Sequence, residues 1–146
     1  MKPNIETSRI NTKRWKVNGI LHREDGPAIE YKDGTKEWYI NGKLHREDGP
    51  AIEYSDGEKQ WWLNGKLHRE DGPAIEYPDG TKYWFINDEL HREDGPAIEW
   101  GDGEKEWFIN GNEITLQIEE DIRNRILKPY SEWIESDLIK FKLKYI

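Results

Sequence analysis

The chain has 146 residues, of which 34% are hydrophobic and 36% are charged, so too little apolar mass is available for a thick two-layer core. Eight tryptophans and seven tyrosines nevertheless exclude ordinary disorder, because disordered segments carry few aromatic residues. The net charge of −8 argues against a nucleic-acid or membrane-surface binder, and the absence of cysteine excludes disulfides and thiol-bound metals. The polar N-terminal residues and the lack of an 18-residue apolar run predict a soluble, cytoplasmic protein.

One ten-residue string organises the sequence. Leu-His-Arg-Glu-Asp-Gly-Pro-Ala-Ile-Glu begins at four leucines that are 23 residues apart: Leu21, Leu44, Leu67 and Leu90. Five tryptophans keep the same spacing: Trp15, Trp38, Trp61, Trp84 and Trp107. A fixed period of this length is typical of a tandem array of small structural units. We therefore predict a polar lead-in of residues 1–9, a repeat array of residues 10–111 and a C-terminal cap of residues 112–146.

Each unit has the pattern of one β-hairpin. In the second unit, residues 27–31 form a β-prone run, Asp33-Gly34 marks a tight turn, and residues 36–40 form a second run before Asn41-Gly42. Hairpins stacked in this way predict a mainly β fold, an elongated and twisted antiparallel sheet.

Side chains alternate across a strand, and this assigns residues to two faces. We expect Ile29 and Tyr31 to share the core face with Trp38 and Ile40. The opposite face would then carry an aromatic stripe, formed by Tyr39, Trp62, Phe85 and Phe108, beside a glutamate row, formed by Glu30, Glu53, Glu76 and Glu99. These eight residues are the candidate binding site, because contiguous exposed apolar surface usually marks an interaction site. Alternatively, the C-terminal helix or the long loops cover the stripe and make it a second thin core.

Three strings recur in the units: Asn-Gly-Lys-Leu-His, Gly-Pro-Ala-Ile-Glu-Tyr and Asp-Gly-x-Lys. In these strings the chain resembles the MORN repeat family, specifically the variant found in bacterial and phage proteins. The resemblance covers about two-thirds of the chain. It implies an elongated, twisted single sheet that serves as a docking surface.

The repeat stops after residue 111, and a different pattern follows. Thr115 is predicted to N-cap a helix that carries three isoleucines on one face: Ile118, Ile122 and Ile126. Pro129 would end this helix, Ser131 would begin a short second one, and residues 139–145 alternate strictly enough to predict a strand. The segment would either cap the exposed end of the array or act itself as a partner-binding or dimerisation element.

Four histidines occupy the same position in successive units: His22, His45, His68 and His91. Equivalent positions lie two strands apart, about 9 to 10 Å, whereas a metal ion needs its nitrogen ligands at about 2 Å. We therefore expect no metal site. Each imidazole is instead predicted to bond a backbone group in its loop, with a row of pH-sensitive surface groups as the alternative.

The neighbouring acids Glu24 and Asp25 do not predict a catalytic pair. Acid-base catalysis needs two groups in different environments within a cleft, whereas a repeated motif provides four similar environments. We predict that Asp25 is a turn residue and that Arg23 forms a surface ion pair with Glu24. Because phosphate-loop and nucleophile-elbow motifs are also missing from the sequence, we expect neither enzymatic activity nor a cofactor.

Three functions are compatible with this sequence. The first is a scaffold that binds another protein, such as a viral accessory protein that sequesters or inhibits a host or defence protein in the host cytoplasm. The second is an acidic mimic of nucleic acid, in which the glutamate row occupies a basic cleft of a host protein; four interleaved lysines count against it, Lys36, Lys59, Lys82 and Lys105. The third is a structural component that assembles into homo-oligomers. None of the three requires direct contact with nucleic acid or a membrane.

Overall fold

The computed structural model describes residues 2–7 and 11–146. Within these residues the chain forms 19 short strands, then two α-helices separated by one turn of 3-10 helix. The strands are β1 (Asn4–Thr7), β2 (Lys13–Val17), β3 (Ile20–Leu21), β4 (Ile29–Glu30), β5 (Lys36–Glu37), β6 (Tyr39–Ile40), β7 (Lys43–Leu44), β8 (Ile52–Glu53), β9 (Lys59–Gln60), β10 (Trp62–Leu63), β11 (Lys66–Leu67), β12 (Ile75–Glu76), β13 (Lys82–Tyr83), β14 (Phe85–Ile86), β15 (Glu89–Leu90), β16 (Ile98–Glu99), β17 (Lys105–Glu106), β18 (Phe108–Ile109) and β19 (Asn112–Glu113). The boundary predicted at residue 10 lies outside the described residues.

Most strands belong to one antiparallel sheet. Its order is β1-β2-β4-β5-β8-β9-β12-β13-β16-β17, and β3 pairs with β2 beside this path. The strands follow one another in chain order, as expected for a meander of hairpins, and the sheet does not close on itself. The predicted mainly β fold with a 23-residue hairpin period is confirmed.

Each unit contains two hairpins, so the prediction of one hairpin per unit is wrong. The run predicted over residues 36–40 divides at Trp38, and its second part, β6, pairs with β7 in a separate two-stranded sheet. Asn41 and Gly42 have φ angles of 51° and 77°, the left-handed backbone that a tight two-residue hairpin turn requires. The chain therefore reverses directly after β6, and residues 43–44 pair with residues 39–40.

Backbone hydrogen bonds join each unit to the next. The N–H of Trp38 donates to the Ala51 carbonyl at 2.8 Å, and the N–H of Gly42 donates to the Leu21 carbonyl of the preceding unit at 2.8 Å. Corresponding bonds recur along the array, for example from Trp61 to Ala74. The same backbone hydrogen bonds therefore link each unit to the next. They add to the few ladder hydrogen bonds that a strand of two residues can form.

The register corrects the predicted faces. Ile29 lies opposite Glu37, and Glu30 lies opposite Lys36. Residues directly opposite in an antiparallel pair project from the same face. Ile29 and Tyr31 therefore share a face with Tyr39, whereas Glu30 shares the other face with Trp38, so the expected grouping of Ile29 with Trp38 is wrong. Both faces bury apolar residues, since Ala28 and Ile29 and their equivalents are all buried.

The C-terminal segment begins with helix α1 (Thr115–Arg123), whose N-cap residue is Ile114. Thr115 is therefore the first helical residue and not the predicted N-cap. Its Oγ1 accepts the Trp107 N–H at 3.1 Å, a role that an alanine carbonyl of the next unit fills for the preceding tryptophans. Ile118 is buried as predicted, but the helix ends before Ile126, which is 49% exposed.

The strand predicted over residues 139–145 is wrong, because this segment belongs to helix α2 (Glu135–Tyr145), which follows the 3-10 turn Tyr130–Glu132. Leu138, Phe141 and Tyr145 recur at helical spacing and pack towards the core of the cap. That core contains five buried residues: Trp107, Ile109, Ile118, Leu127 and Phe141. Of these, Trp107 and Ile109 come from the last hairpins, so the segment caps the end of the array.

A buried carboxylate joins the two helices. Asp121 accepts hydrogen bonds from Lys144 Nζ and from the Tyr145 hydroxyl, both at 2.6 Å. Burial raises the pKa of Asp121, but the hydrogen bonds from Lys144 and Tyr145 outweigh burial, and the pKa lies below its ordinary value of 3.8. The charged carboxylate therefore stabilises the folded cap.

The first prediction compares two apolar side chains of α2. Phe141 is fully buried, whereas Leu143 is 83% exposed. We expect Phe141→Ala to lower the free energy of unfolding of the cap by about 3 to 5 kcal/mol, and Leu143→Ala to change it by less than about 0.5 kcal/mol. Chemical denaturation followed by tryptophan fluorescence measures both. In a strand, Phe141 and Leu143 would lie on the same face, and the two substitutions would have similar effects. Such a result would contradict the helix.

The second prediction concerns acid unfolding of the cap. Because the folded-state pKa of Asp121 is depressed, its stabilising contribution is complete well above pH 4 and is lost as the pH falls through the folded-state value. We expect Asp121→Asn to destabilise the cap at pH 7 by about 2 kcal/mol and to make its stability less dependent on pH below about 4. Denaturation midpoints measured from pH 7 to pH 2 test this. Equal pH dependence in both proteins would contradict it.

Candidate functional site

One face of the sheet carries a row of stacked cations, and we call it the arginine face. The guanidinium carbon of Arg46 lies 4.2 Å from the centre of the Trp38 ring, within the range of a cation–π contact. The same contact occurs in four units, at 4.0 to 4.2 Å, between Arg23 and Trp15, Arg46 and Trp38, Arg69 and Trp61, and Arg92 and Trp84. The ten-residue string, which is identical in four units and which we call the invariant string, supplies the arginines of this face, and the tryptophans with the same 23-residue spacing supply the rings.

Each of these arginines is also held by hydrogen bonds. Arg46 Nε donates to Asp48 Oδ1 at 2.9 Å, and its Nη1 donates to the Pro50 carbonyl at 3.1 Å and to Glu53 Oε1 at 3.0 Å. A Cβ atom at Gly49 would lie 2.9 Å from the Arg46 guanidinium carbon, so glycine is needed for this close approach. The arginine therefore joins its own loop to the following strand.

The predicted ion pair between Arg23 and Glu24 is absent from the ion pairs of the described residues. Arg23 pairs instead with Asp25 at 2.8 Å and with Glu30 at 3.4 Å, because its side chain turns back over the sheet. Its hydrogen bond holds the pKa of Asp25 below the ordinary value. Asp25 thus anchors the arginine as well as lying in its loop.

The predicted glutamate row lies on the arginine face and not beside the aromatic stripe. Glu53 pairs with Arg46 at 3.0 Å, and the corresponding arginines pair with Glu30, Glu76 and Glu99. These side chains are 30 to 37% exposed. Their charge is consequently balanced within the protein, and they are part of its framework.

The histidines bond backbone groups, as predicted, but these groups lie in the turn of the next unit and not in the histidine's own loop. His22 Nδ1 accepts the N–H of Asn41 at 3.1 Å, and His45, His68 and His91 make the corresponding bond to the next Asn-Gly or Asn-Asp turn. A neutral imidazole that accepts this hydrogen bond at Nδ1 carries its proton on Nε2. Across the described residues, no group of three or more histidines and acids could hold a metal ion.

The opposite face of the sheet carries most of the remaining aromatic residues, and we call it the aromatic face. It comprises three rows of four residues. The outer row is Tyr31, Tyr54, Tyr77 and Trp100; the middle row is Glu37, Gln60, Tyr83 and Glu106; the third row is the predicted stripe of Tyr39, Trp62, Phe85 and Phe108. Sequence reasoning identified only the third row, because the one-residue error in register placed the outer row in the core.

Polar atoms on this face bind neighbours on the same face. Trp62 Nε1 donates to Gln60 Oε1 at 2.9 Å, and Trp100 Nε1 donates to Glu106 Oε1 at 2.9 Å. Burial and the adjacent Glu37 carboxylate raise the pKa of Tyr39. The Tyr39 hydroxyl is therefore a neutral hydrogen-bond donor throughout the physiological range.

The cap leaves the aromatic stripe uncovered. All four stripe residues are half-buried, and none of them belongs to the apolar core of the cap or to the residues packed against it. That core is built around Trp107 and Ile109 at the end of the array. The C-terminal helix therefore does not convert the stripe into a second core, whereas cover by the long loops stays a prediction.

The two faces differ in how strictly the units repeat. The string that builds the arginine face is identical in four units, whereas the middle row of the aromatic face reads Glu, Gln, Tyr, Glu and the third row reads Tyr, Trp, Phe, Phe. Residues that hold units together must recur in each unit. Positions that differ from unit to unit therefore mark the aromatic face, and this signal was present in the sequence.

The chain matches no protein-family model, and no curated protein is significantly similar to it. The resemblance to MORN repeats accordingly stays a prediction. No helix in the described part of the chain combines the length and apolar character needed to cross a membrane.

The third prediction tests the framework role of the arginines. Arg46→Ala removes the stack on Trp38, the ion pairs with Asp48 and Glu53 and the bond to the Pro50 carbonyl. We expect it to lower the free energy of unfolding by about 2 to 4 kcal/mol, because Glu53 is left without its partner. Lys43→Ala, at an exposed position of the same unit, is the control and should be neutral. Equal stability of the two variants in urea denaturation would contradict this role.

Proposed function

We propose that this protein is a non-enzymatic repeat scaffold that binds another protein through its aromatic face. The observation that carries the proposal is the difference between the faces: the units are identical where they form the framework and variable where partly exposed aromatic side chains lie. Variation among units gives a surface that is not periodic. A partner protein, whose own surface has no 23-residue period, is the ligand best matched by such a surface.

The composition of the aromatic face supports a protein partner. Tyrosine and tryptophan dominate the binding energy of protein interfaces, because each combines a large apolar area with a polar atom. At about 9 to 10 Å for each unit, four units give a face roughly 30 to 40 Å long. That length suits an interface of standard size, which buries about 800 Å² on each partner.

The resemblance to MORN-like arrays in bacterial and phage proteins supports a docking role and extends the proposal. In that form the protein is a phage accessory protein that acts in the host cytoplasm, where it sequesters or inhibits a host or defence protein. A partner with a defined biochemical activity makes this extension testable, since saturating amounts of the array should inhibit that activity.

The acidic mimic has less support than the scaffold. Its carboxylates would be Glu30, Glu53, Glu76 and Glu99, and each of them pairs with an arginine of the same protein. A basic cleft would have to compete with these arginines. Binding to such a cleft would also weaken steeply with salt, whereas binding to an aromatic face would persist.

The fourth prediction is a capture experiment with variants on the two faces. Full-length tagged protein is used to capture partners from host lysate at low and at high salt, in parallel with the double variant Tyr39→Ala, Trp62→Ala. We expect one stoichiometric partner that survives high salt and is reduced at least tenfold by the double variant, since each interface aromatic contributes about 1 to 2 kcal/mol or more.

The matched control is the double variant Lys36→Ala, Lys59→Ala, which alters exposed residues at equivalent positions of two successive units on the arginine face. It should retain the partner. Loss of the partner in the control but not in the aromatic variant would refute the aromatic face as the docking surface. Salt-sensitive capture of a nucleic-acid-binding protein would favour the mimic, and recovery of the protein alone would favour self-assembly.

A further inference from the structure

The fourth unit, which contains Tyr77 and Tyr83, forms an aromatic cluster with Trp100 that has no counterpart among the other described units. The Tyr83 ring lies 5.5 Å from the Tyr77 ring and 5.5 Å from the Trp100 ring, with interplanar angles of 71° and 80°. Phe85 lies beside it at 6.5 Å, with its ring tilted by 56°. All four side chains are half-buried and therefore present part of their surface to solvent. We call these residues, together with Glu106, the Tyr83 cluster.

Tyrosine occupies the middle row only in this unit. The equivalent positions are Arg14, Glu37, Gln60 and Glu106. Tyr83 pairs with Ile75 on one side and with Ile98 on the other, and this brings the outer-row rings of two successive units to its two edges. The cluster is consequently a specific feature of one position on the aromatic face.

A carboxylate adjoins these rings. Glu106 Oε1 accepts the Trp100 Nε1 proton at 2.9 Å, which fixes the carboxylate at the edge of the cluster. Among the ion pairs formed by the described residues, none involves Glu106. The cation–π contacts of the same residues lie elsewhere, at tryptophans of the arginine face and at Tyr145. The Tyr83 cluster thus combines electron-rich rings and a negative charge, and no cation of the described residues is paired with either.

The arginine face shows what this combination binds in the same protein. Arg92 lies 4.0 Å from the Trp84 ring centre and donates to Glu99 Oε1 at 2.9 Å. An aromatic ring and a carboxylate hold a guanidinium group in this way in four units. On the aromatic face the ring and the carboxylate are present, and the guanidinium group is the missing component.

We propose that the Tyr83 cluster binds the guanidinium group of an arginine side chain presented by the partner. The proposal rests on the proposed function, since it names the chemistry of the partner at one position of the aromatic face. Guanidinium fits better than ammonium because it is planar, stacks on aromatic rings and donates in a fork that matches a carboxylate. The chain's net charge of −8 also favours a cationic group.

The test is a titration of the intact protein with N-acetyl-arginine N-methylamide, followed by the indole N–H signal of Trp100 in nitrogen-15 NMR spectra. We expect a saturable shift with a dissociation constant in the millimolar range, as one cation–π contact and one exposed ion pair allow. The citrulline derivative, which has the same shape without the charge, should give no saturable shift. The lysine derivative should bind at least about threefold more weakly.

Two variants locate the binding. Glu106→Gln retains an acceptor for the Trp100 indole but loses the charge, and it should weaken binding about threefold to fivefold. Tyr83→Gln introduces the residue found at the equivalent position 60 and should weaken binding by a similar factor. Glu113→Gln, an exposed position with the same change in charge, is the matched control and should bind like the wild type. Unchanged indole signals from the other tryptophans confirm that each variant is folded.

Either of two results would overturn the proposal: equal shifts with the arginine, citrulline and lysine derivatives, or binding that is insensitive to Glu106→Gln and Tyr83→Gln. The proposed function is judged separately by the capture experiment. Partner capture that depends on Tyr39 and Trp62, without any arginine binding, would leave the docking face intact and refute the guanidinium site. Arginine binding without a captured partner would support the site and count against the scaffold.

Discussion

The arginine that stacks on a tryptophan is the interaction on which the array depends. Arg46 contacts the Trp38 ring, an aspartate and a carbonyl of its own loop, and a glutamate of the next strand. Strands of two residues bury too little area to be stable alone. The repeated stack compensates for this, because it joins loop, hairpin and sheet in each unit. It also explains how a chain with 36% charged residues folds, since much of the charge is used internally.

The same stack separates the roles of the two faces. Because the invariant string supplies the framework on the arginine face, the aromatic face is free to differ from unit to unit. Tyr83 is one such difference, and Trp62 is another. The outcome is a regular scaffold that presents an irregular aromatic surface, and this combination is the physical basis for the proposed docking role.

The cap completes the last unit by replacing the groups that a further unit would have supplied. Tyr130 packs edge-on against Trp107 at 5.8 Å, where the preceding tryptophans carry an arginine. Thr115 Oγ1 accepts the Trp107 N–H in place of a carbonyl of the next unit. The replacement is imperfect, since Trp107 Nε1 is buried and no group of the described residues accepts its hydrogen, a cost of about 1 to 3 kcal/mol. The apolar core of the cap offsets it.

The sequence by itself determined the 23-residue period, the antiparallel meander, the hairpin turn at Asp33-Gly34 and the bonding of the histidines to backbone groups. These follow from local rules of spacing and turn chemistry. Tertiary structure decided the faces, because a shift of one residue in register moves every side chain to the other side and the short strands fit either choice. It also decided α2: alternation of lysine with apolar residues satisfies a strand and a helix alike, and only the packing of Phe141 in the core around Trp107 favours the helix.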